Sequence, residues 1–251
     1  MKIYVLLSLS FILCCCGDNQ KDPPVNKSLY PYTKLNIGLD SLGRPTDNNS
    51  IYIPINIIND SKQLLAKLNE EIKKGKSSDT EYEKWKEWWL HYDTNYAKGV
   101  SNQLFWLEEP ILSDKYSGDD TYRLFTMPSF SNYNIIRITH FRDSIEIWYK
   151  EIGKPIIINK KRGNYKYNIV TQKRIILSPQ YWDTITTLVG KSMFWTFQEP
   201  TIHDEVLDGT EYLFEGHIKE GYKAIRRSNL YIDSKFNLFN YLLKMVTLKA
   251  D

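Results

Sequence analysis

Apolar positions in this chain switch repeatedly between two periods. They recur at helical spacing between residues 60 and 99, shift toward alternation from Ser101, and return to helical spacing after Ser178 and again after Asp233. Leu64, Leu65, Leu68 and Ile72 share one face of a segment opened by Asp60 and Gln63, an N-cap with its reciprocal partner, and Gly75 is its natural stop. A second helix is predicted from the Ser78 and Glu81 capping pattern to Gly99. Along it Tyr82, Trp85, Trp89, Tyr92 and Tyr96 form one aromatic stripe. We read the stripe as core-facing, because large rings at helical period usually face a core; a stacking platform for sugars is the alternative.

The alternating stretches predict strands at 51–58, 104–107, 122–127, 135–141 and 145–149, with Arg142-Asp143-Ser144 turning the last two into a hairpin. Further strands follow at 156–158 and 165–177, interrupted by the turn-like Lys161-Arg162-Gly163-Asn164. Ser178-Pro179 opens a helix with Tyr181, Trp182, Ile185, Leu188 and Val189 on its buried face, closing at Gly190. Strands at 211–218 and 222–227 come next. A last helix, with Phe236, Phe239, Leu242, Leu243 and Val246 in line, is expected to cover the sheet. Connections this short imply antiparallel pairing. The expected class is α+β: a mainly antiparallel sheet with packed flanking helices in one domain over 34–251, helical in 34–100 and sheet-rich in 101–251.

The first residues stand apart from this pattern. Lys2, an apolar run over 3–13, three cysteines and a polar continuation read as a cleavable export leader. Eleven helical residues rise only about 17 Å, short of the roughly 30 Å needed to span a bilayer. Leu13-Cys14-Cys15-Cys16 resembles the lipobox of bacterial lipoproteins, with an aliphatic residue three before the acylated cysteine. Cys16 fits best, Cys15 with Ile12 is also compatible, and Cys14 follows the bulky Leu13. The resemblance implies a signal peptide over 1–15, palmitate-type acyl chains on Cys16, and a cell-envelope location at the outer membrane or cell surface. Several chains on one residue would anchor firmly, at about 0.8 kcal/mol per buried methylene. Residues 16–33, polar and carrying Pro23, Pro24 and Pro31, read as a flexible tether.

Composition narrows the chemistry. A net charge of +3 over 251 residues is too slight and too scattered for a nucleic-acid surface. All three cysteines lie at the leader boundary, so the folded part has no thiol for a disulfide, a zinc site or nucleophilic attack. No phosphate loop, nucleophile elbow or acidic metal-binding repeat occurs, and no cofactor is expected. Asp119-Asp120 and Glu108-Glu109 read as surface charge, and Lys160-Lys161-Arg162 and Arg226-Arg227 as solvated turns.

A second resemblance lies in Ser178-Pro179-x-x-Trp182, Phe194-Trp195, Asp208-Gly209-Thr210-x-Tyr212, Glu215-Gly216, Gly221-Tyr222 and Arg226. This is similar to the closing module of a group of uncharacterised exported bacterial proteins. It departs from that pattern at Tyr212, where Trp is expected, and at Lys223, where His is expected. The resemblance carries no chemistry.

Four histidines are available. His91 is expected in solvent and His140 at a sheet boundary. If Glu220-Gly221 is a two-residue turn, Glu215 faces Arg226 and His217 faces Ala224. His203 from the preceding loop could then join Glu215 and His217 as acid-base groups or on a metal. The simpler reading is a Glu215–Arg226 cross-strand ion pair on a solvated face, and it carries more weight because the spacing matches no dedicated metal signature. The expected function is therefore a membrane-anchored binding module, its partner a glycan or an envelope protein, including a toxin met by an immunity-type lipoprotein. An envelope hydrolase using His203, Glu215 and His217 is the alternative.

Overall fold

The computed structural model describes residues 35–48, 50–54, 60–75, 78–153, 155–159, 164–192, 194–196 and 209–228, with Tyr241 and Lys244. The leader, Cys16, the tether, His203 and nearly all of the expected last helix lie outside the described residues.

Among the described residues the helices α1 (Asp60–Lys73), α2 (Asp79–Trp106) and α3 (Trp182–Lys191) accompany eight strands. Six strands form one antiparallel sheet: β1 (Asp120–Pro128), β2 (Tyr133–His140), β3 (Ile145–Ile152), β6 (Ile169–Leu177), β7 (Thr210–Ile218) and β8 (Gly221–Ser228). Their order across the sheet is β6-β3-β2-β1-β7-β8, every pairing antiparallel. The expected α+β class is observed in this sheet and its flanking helices. The short strands β4 (Ile156–Asn159) and β5 (Asn164–Lys166) pair apart from the main sheet, so the stretch expected as one strand from residue 165 is divided between two sheets.

Alternation sends side chains to two faces, and each face has its own core. On one, Tyr122, Leu124, Ile136, Ile138, Ile145, Ile147 and Phe214 pack with Ile185 and Val189 of α3 and with Phe194 and Trp195. On the other, Phe125, Ile135, Ile152 and Leu213 meet Ala97, Val100 and Leu104 of α2 and Leu107 just beyond it, with Tyr52 and Ile53.

Several boundaries differ from the sequence reading. Helix α2 runs through Gly99 to Trp106, so residues 104–106, expected in a strand, form its last turn. A glycine costs a helix interior only about 1 kcal/mol, and burial of Val100 and Leu104 on the α2 face outweighs it. The helix stops at Glu108, whose φ of 54° is left-handed. The Glu109 N–H donates to the Leu104 carbonyl at 3.0 Å and the Glu108 N–H to Phe105 at 2.9 Å, a Schellman closure of the kind usually given to glycine. Tyr52 is not in a strand either. Its N–H donates to Ser101 Oγ at 3.1 Å and its carbonyl accepts from Ser113 Oγ at 2.8 Å, so side chains take the bonds a ladder would have used. Ser178 precedes a 3₁₀ turn, Pro179–Tyr181, and its hydroxyl makes no capping bond.

Of the aromatic stripe, Tyr82 and Tyr96 are half-buried, and Tyr96 packs against the α2-side core. The side chains of Trp85, Trp89 and Tyr92 lie outside the description. Among the described residues no helix is long and apolar enough to cross a membrane.

Candidate functional site

The two faces part company at one end of the sheet. At the first residues of β1 and β3 and the last of β2 and β7, the α3 face is mainly apolar, whereas the α2 face turns polar through Thr121, Arg123, Arg137, Thr139, Glu146, Trp148, Lys150, Glu215 and His217. Over it lies a cavity of about 830 Å³, walled by the loop 39–44 and the connection 108–119.

Its floor rests on a buried charge network. Glu109, fully buried just beyond the end of α2, lies 2.9 Å from Arg137 Nε, 2.8 Å from Lys150 Nζ and 3.8 Å from Arg123 Nη1. Burial raises the Glu109 carboxyl pKa, but Arg137, Lys150 and Arg123 outweigh it and hold the group below the usual carboxylate range. Arg123 donates from Nε to Glu215 at 2.6 Å and from Nη1 to the Pro110 carbonyl at 2.7 Å. Tyr222 donates its hydroxyl to the other Glu215 oxygen at 2.7 Å. Lys150 donates to the Leu107 carbonyl and reaches that of Glu108 at 3.4 Å, so a cation closes the negative end of α2.

His217 pins the connecting loop. Nδ1 lies 2.8 Å from the Leu112 carbonyl, so it carries the proton, and Nε2 accepts the Ser117 N–H at 3.2 Å. The ring also stacks on Tyr116 at 5.3 Å. Burial lowers its pKa against the opposing pull of the Leu112 bond, which keeps the imidazole neutral.

Glu215 and His217 therefore share a face, as alternation requires, but each is held by other partners. The hairpin turn is Lys219-Glu220, not Glu220-Gly221, which places Glu215 opposite Ala224, His217 opposite Tyr222 and Arg226 opposite Leu213. The expected Glu215–Arg226 pair does not form. Glu215 is paired with Arg123 of the neighbouring strand, and Arg226 pairs with Glu211 at 2.9 Å, its guanidinium 3.9 Å over the Tyr96 ring. The reading of Arg226 as a solvated turn is likewise overturned. His140 stacks on Trp182 at 4.4 Å, and His91 is exposed. No group of three or more His, Cys, Asp or Glu among the described residues could hold a metal ion.

The sequence reading missed Glu109, Arg123, Arg137 and Lys150 as site residues, and it placed Glu109 on the surface. A signal was present. Arg123 and Arg137 each interrupt an apolar run, Tyr122-Arg123-Leu124 and Ile136-Arg137-Ile138, and a charge flanked by core residues on both sides faces the opposite side of its sheet.

The mouth of the cavity is framed by a small loop. Leu39 and Pro45 form a bridge, the Asp40 carboxylate accepts from the Leu42 and Arg44 N–H groups and from Arg44 Nε, and Ile111 N–H donates to the Gly43 carbonyl at 3.0 Å. Gly43, at φ +73°, makes that turn where a side chain would be strained. Leu42 and Phe141 stand exposed on the lip. In sequence comparisons the chain matches no family model and no curated protein.

Proposed function

We propose that this chain is a binding module of the cell envelope, held to a membrane by acylated Cys16, with the cavity on the α2 face of its sheet as the ligand site. The observation that carries the binding reading is a cavity of about 830 Å³ over a floor of buried, mutually bonded charges. Sites for small ligands are of this size, and a prearranged polar floor fixes orientation without costing order on binding. Binding is favoured over hydrolysis because two of the groups the hydrolase reading relied on, Glu215 and His217, are already engaged. Both Glu215 oxygens accept hydrogen bonds, and both His217 nitrogens hold the loop at Leu112 and Ser117. A general base needs a free nitrogen or oxygen within reach of a proton.

The envelope part of the proposal rests on the lipobox resemblance alone. It predicts that Cys16→Ser moves the protein from the membrane to the soluble fraction; unchanged membrane association would remove the anchor. Trp148 lines the cavity and supplies the test of the binding part. Titration of the full chain with a panel of envelope polysaccharides should change tryptophan fluorescence, and Trp148→Phe should abolish the change. No change across the panel in the unaltered protein defeats the glycan form of the reading.

A further inference from the structure

We infer that the cavity takes a carboxylate-bearing sugar, its acid group seated end-on against Nη1 and Nη2 of Arg137. The inference rests on the reading of the cavity as a binding site and deepens it.

The charged groups of the floor differ in what they have left to offer. Lys150 spends its donors on the end of α2 and on Glu109. Arg123 spends its own on Glu215 and the Pro110 carbonyl, and it is 1% exposed. Arg137 gives only Nε, at 2.9 Å, to Glu109. Among the described residues its two terminal nitrogens make no hydrogen bond or ion pair, and the side chain, 17% exposed, lines the cavity. A guanidinium fixed through Nε has its plane already set. The edge that remains is the Nη1/Nη2 fork, which matches the two oxygens of a carboxylate.

Most carboxylates on the same wall are engaged and do not cancel that fork. Glu146 accepts from Trp148 and Arg174, Asp114 from the Leu35 N–H at 2.7 Å, Asp40 from Arg44, and Glu108 pairs with Arg44 at 3.2 Å. Asp119, half-buried, shares the cavity lining with the exposed cation Lys115.

The same surroundings favour a single charge over a double one. The helix end nearest the floor is a C-terminus, whose partial negative charge and neighbouring Glu109 would oppose a phosphate dianion more strongly than a carboxylate. The space beyond the fork suits a sugar. Thr139 and Gln172 offer hydroxyl and amide groups, Trp148 an indole, and the volume accommodates one or two rings.

Calorimetry on the detergent-solubilised full chain tests this with glucuronic and galacturonic acid disaccharides, their neutral hexose counterparts and inorganic phosphate. The expected result is binding of at least one acid disaccharide ten times or more tighter than its neutral counterpart. Arg137→Gln should erase that preference, and Arg137→Lys, which keeps the charge and loses the fork, should retain only a part. Thermal melts confirm that each variant is folded, and if Arg137→Gln is not, Arg137→Lys decides alone. Equal binding of acid and neutral sugars overturns the acid seat while leaving the cavity as a site. Tighter binding of phosphate overturns the carboxylate, and a full acid preference in Arg137→Lys overturns the fork. Absence of binding to every probe overturns the sugar-acid class; the Trp148 fluorescence response to other envelope ligands then judges the cavity separately.

Discussion

The two faces of the sheet are made by the same strands and solve burial in opposite ways. On the α3 face, Tyr122, Leu124, Ile136, Ile138, Ile145 and Ile147 need nothing but matching surface, and α3 with Phe194 and Trp195 supplies it. The α2 face at the same end buries Arg123, Glu109, Glu215 and Lys150, and each of them must find a counter-charge or a carbonyl to be tolerated. An apolar face tolerates any well-shaped neighbour. A charged face specifies its neighbours one by one, and a cavity with fixed donors is what such specification can produce.

This contrast can be broken most sharply at Glu109. Glu109→Ala leaves Arg123, Arg137 and Lys150 without their shared carboxylate and should cost about 3–5 kcal/mol of stability by chemical denaturation. Ile147→Ala on the other face, at a fully buried position, should cost about 2–4 kcal/mol through lost contact and cavity. If the apolar change proved the more damaging, the weight placed on the charge network would be wrong.

His217→Ala should lose about 1–3 kcal/mol by leaving the Leu112 carbonyl and Ser117 N–H unpartnered. Its pH signature has a definite sign. Because burial lowers the folded pKa below the ordinary 6.5, the unfolded chain takes up the proton first. His217 therefore contributes stability above about pH 6.5 that is lost as pH falls, and denaturation curves of His217→Gln should lack that component.

A charge also enters the α3 face. Lys223, buried, donates to the Trp195 carbonyl at 3.1 Å, and burial lowers its pKa to about 8 from 10.5. The folded protein releases this proton before the unfolded chain does, so stability should rise between pH 8 and 10.5, and Lys223→Met should flatten that rise. The smallest effect is expected at Arg174, whose pairing with Glu146 is 57% exposed on the arginine side; Arg174→Ala should change stability by about 0.5 kcal/mol or less.

Much of this architecture was readable before any coordinates. Period-two runs located β1, β2, β3, β7 and β8, and Arg142-Asp143-Ser144 gave the β2–β3 hairpin, closed by a 2.9 Å bond from Phe141 N–H to the Ser144 carbonyl. Helix ends were harder. Gly99 looked like a stop because glycine usually is one, whereas the stop fell at Glu108, a residue with no such propensity, because tertiary burial of Leu104 and Leu107 carried the helix onward. The site was half legible. Alternation put Glu215 and His217 on one face, but a turn placed one residue too late gave Glu215 the wrong partner. Its actual partner, Arg123, is 92 residues away, and pairing over that distance depends on sheet order, which spacing along one chain does not encode. Glu109 was mistaken for surface charge because its burial is made tolerable by three cations from three separate strands, β1, β2 and β3.

The Arg123–Glu215 pair also lies on the seam of the main sheet that joins the strands farthest apart in sequence. β1, β2 and β3 zip together from neighbours and β6 joins β3 after the short β4–β5 hairpin, but β7 must travel back past all of them to lie beside β1. Such long-range closure is slow. Until the β7–β8 hairpin arrives, Arg123 has no Glu215 and does better hydrated than enclosed. A chain still lacking that hairpin would thus keep a wet, charged border along β1, a built-in guard against premature collapse or edge-to-edge clumping.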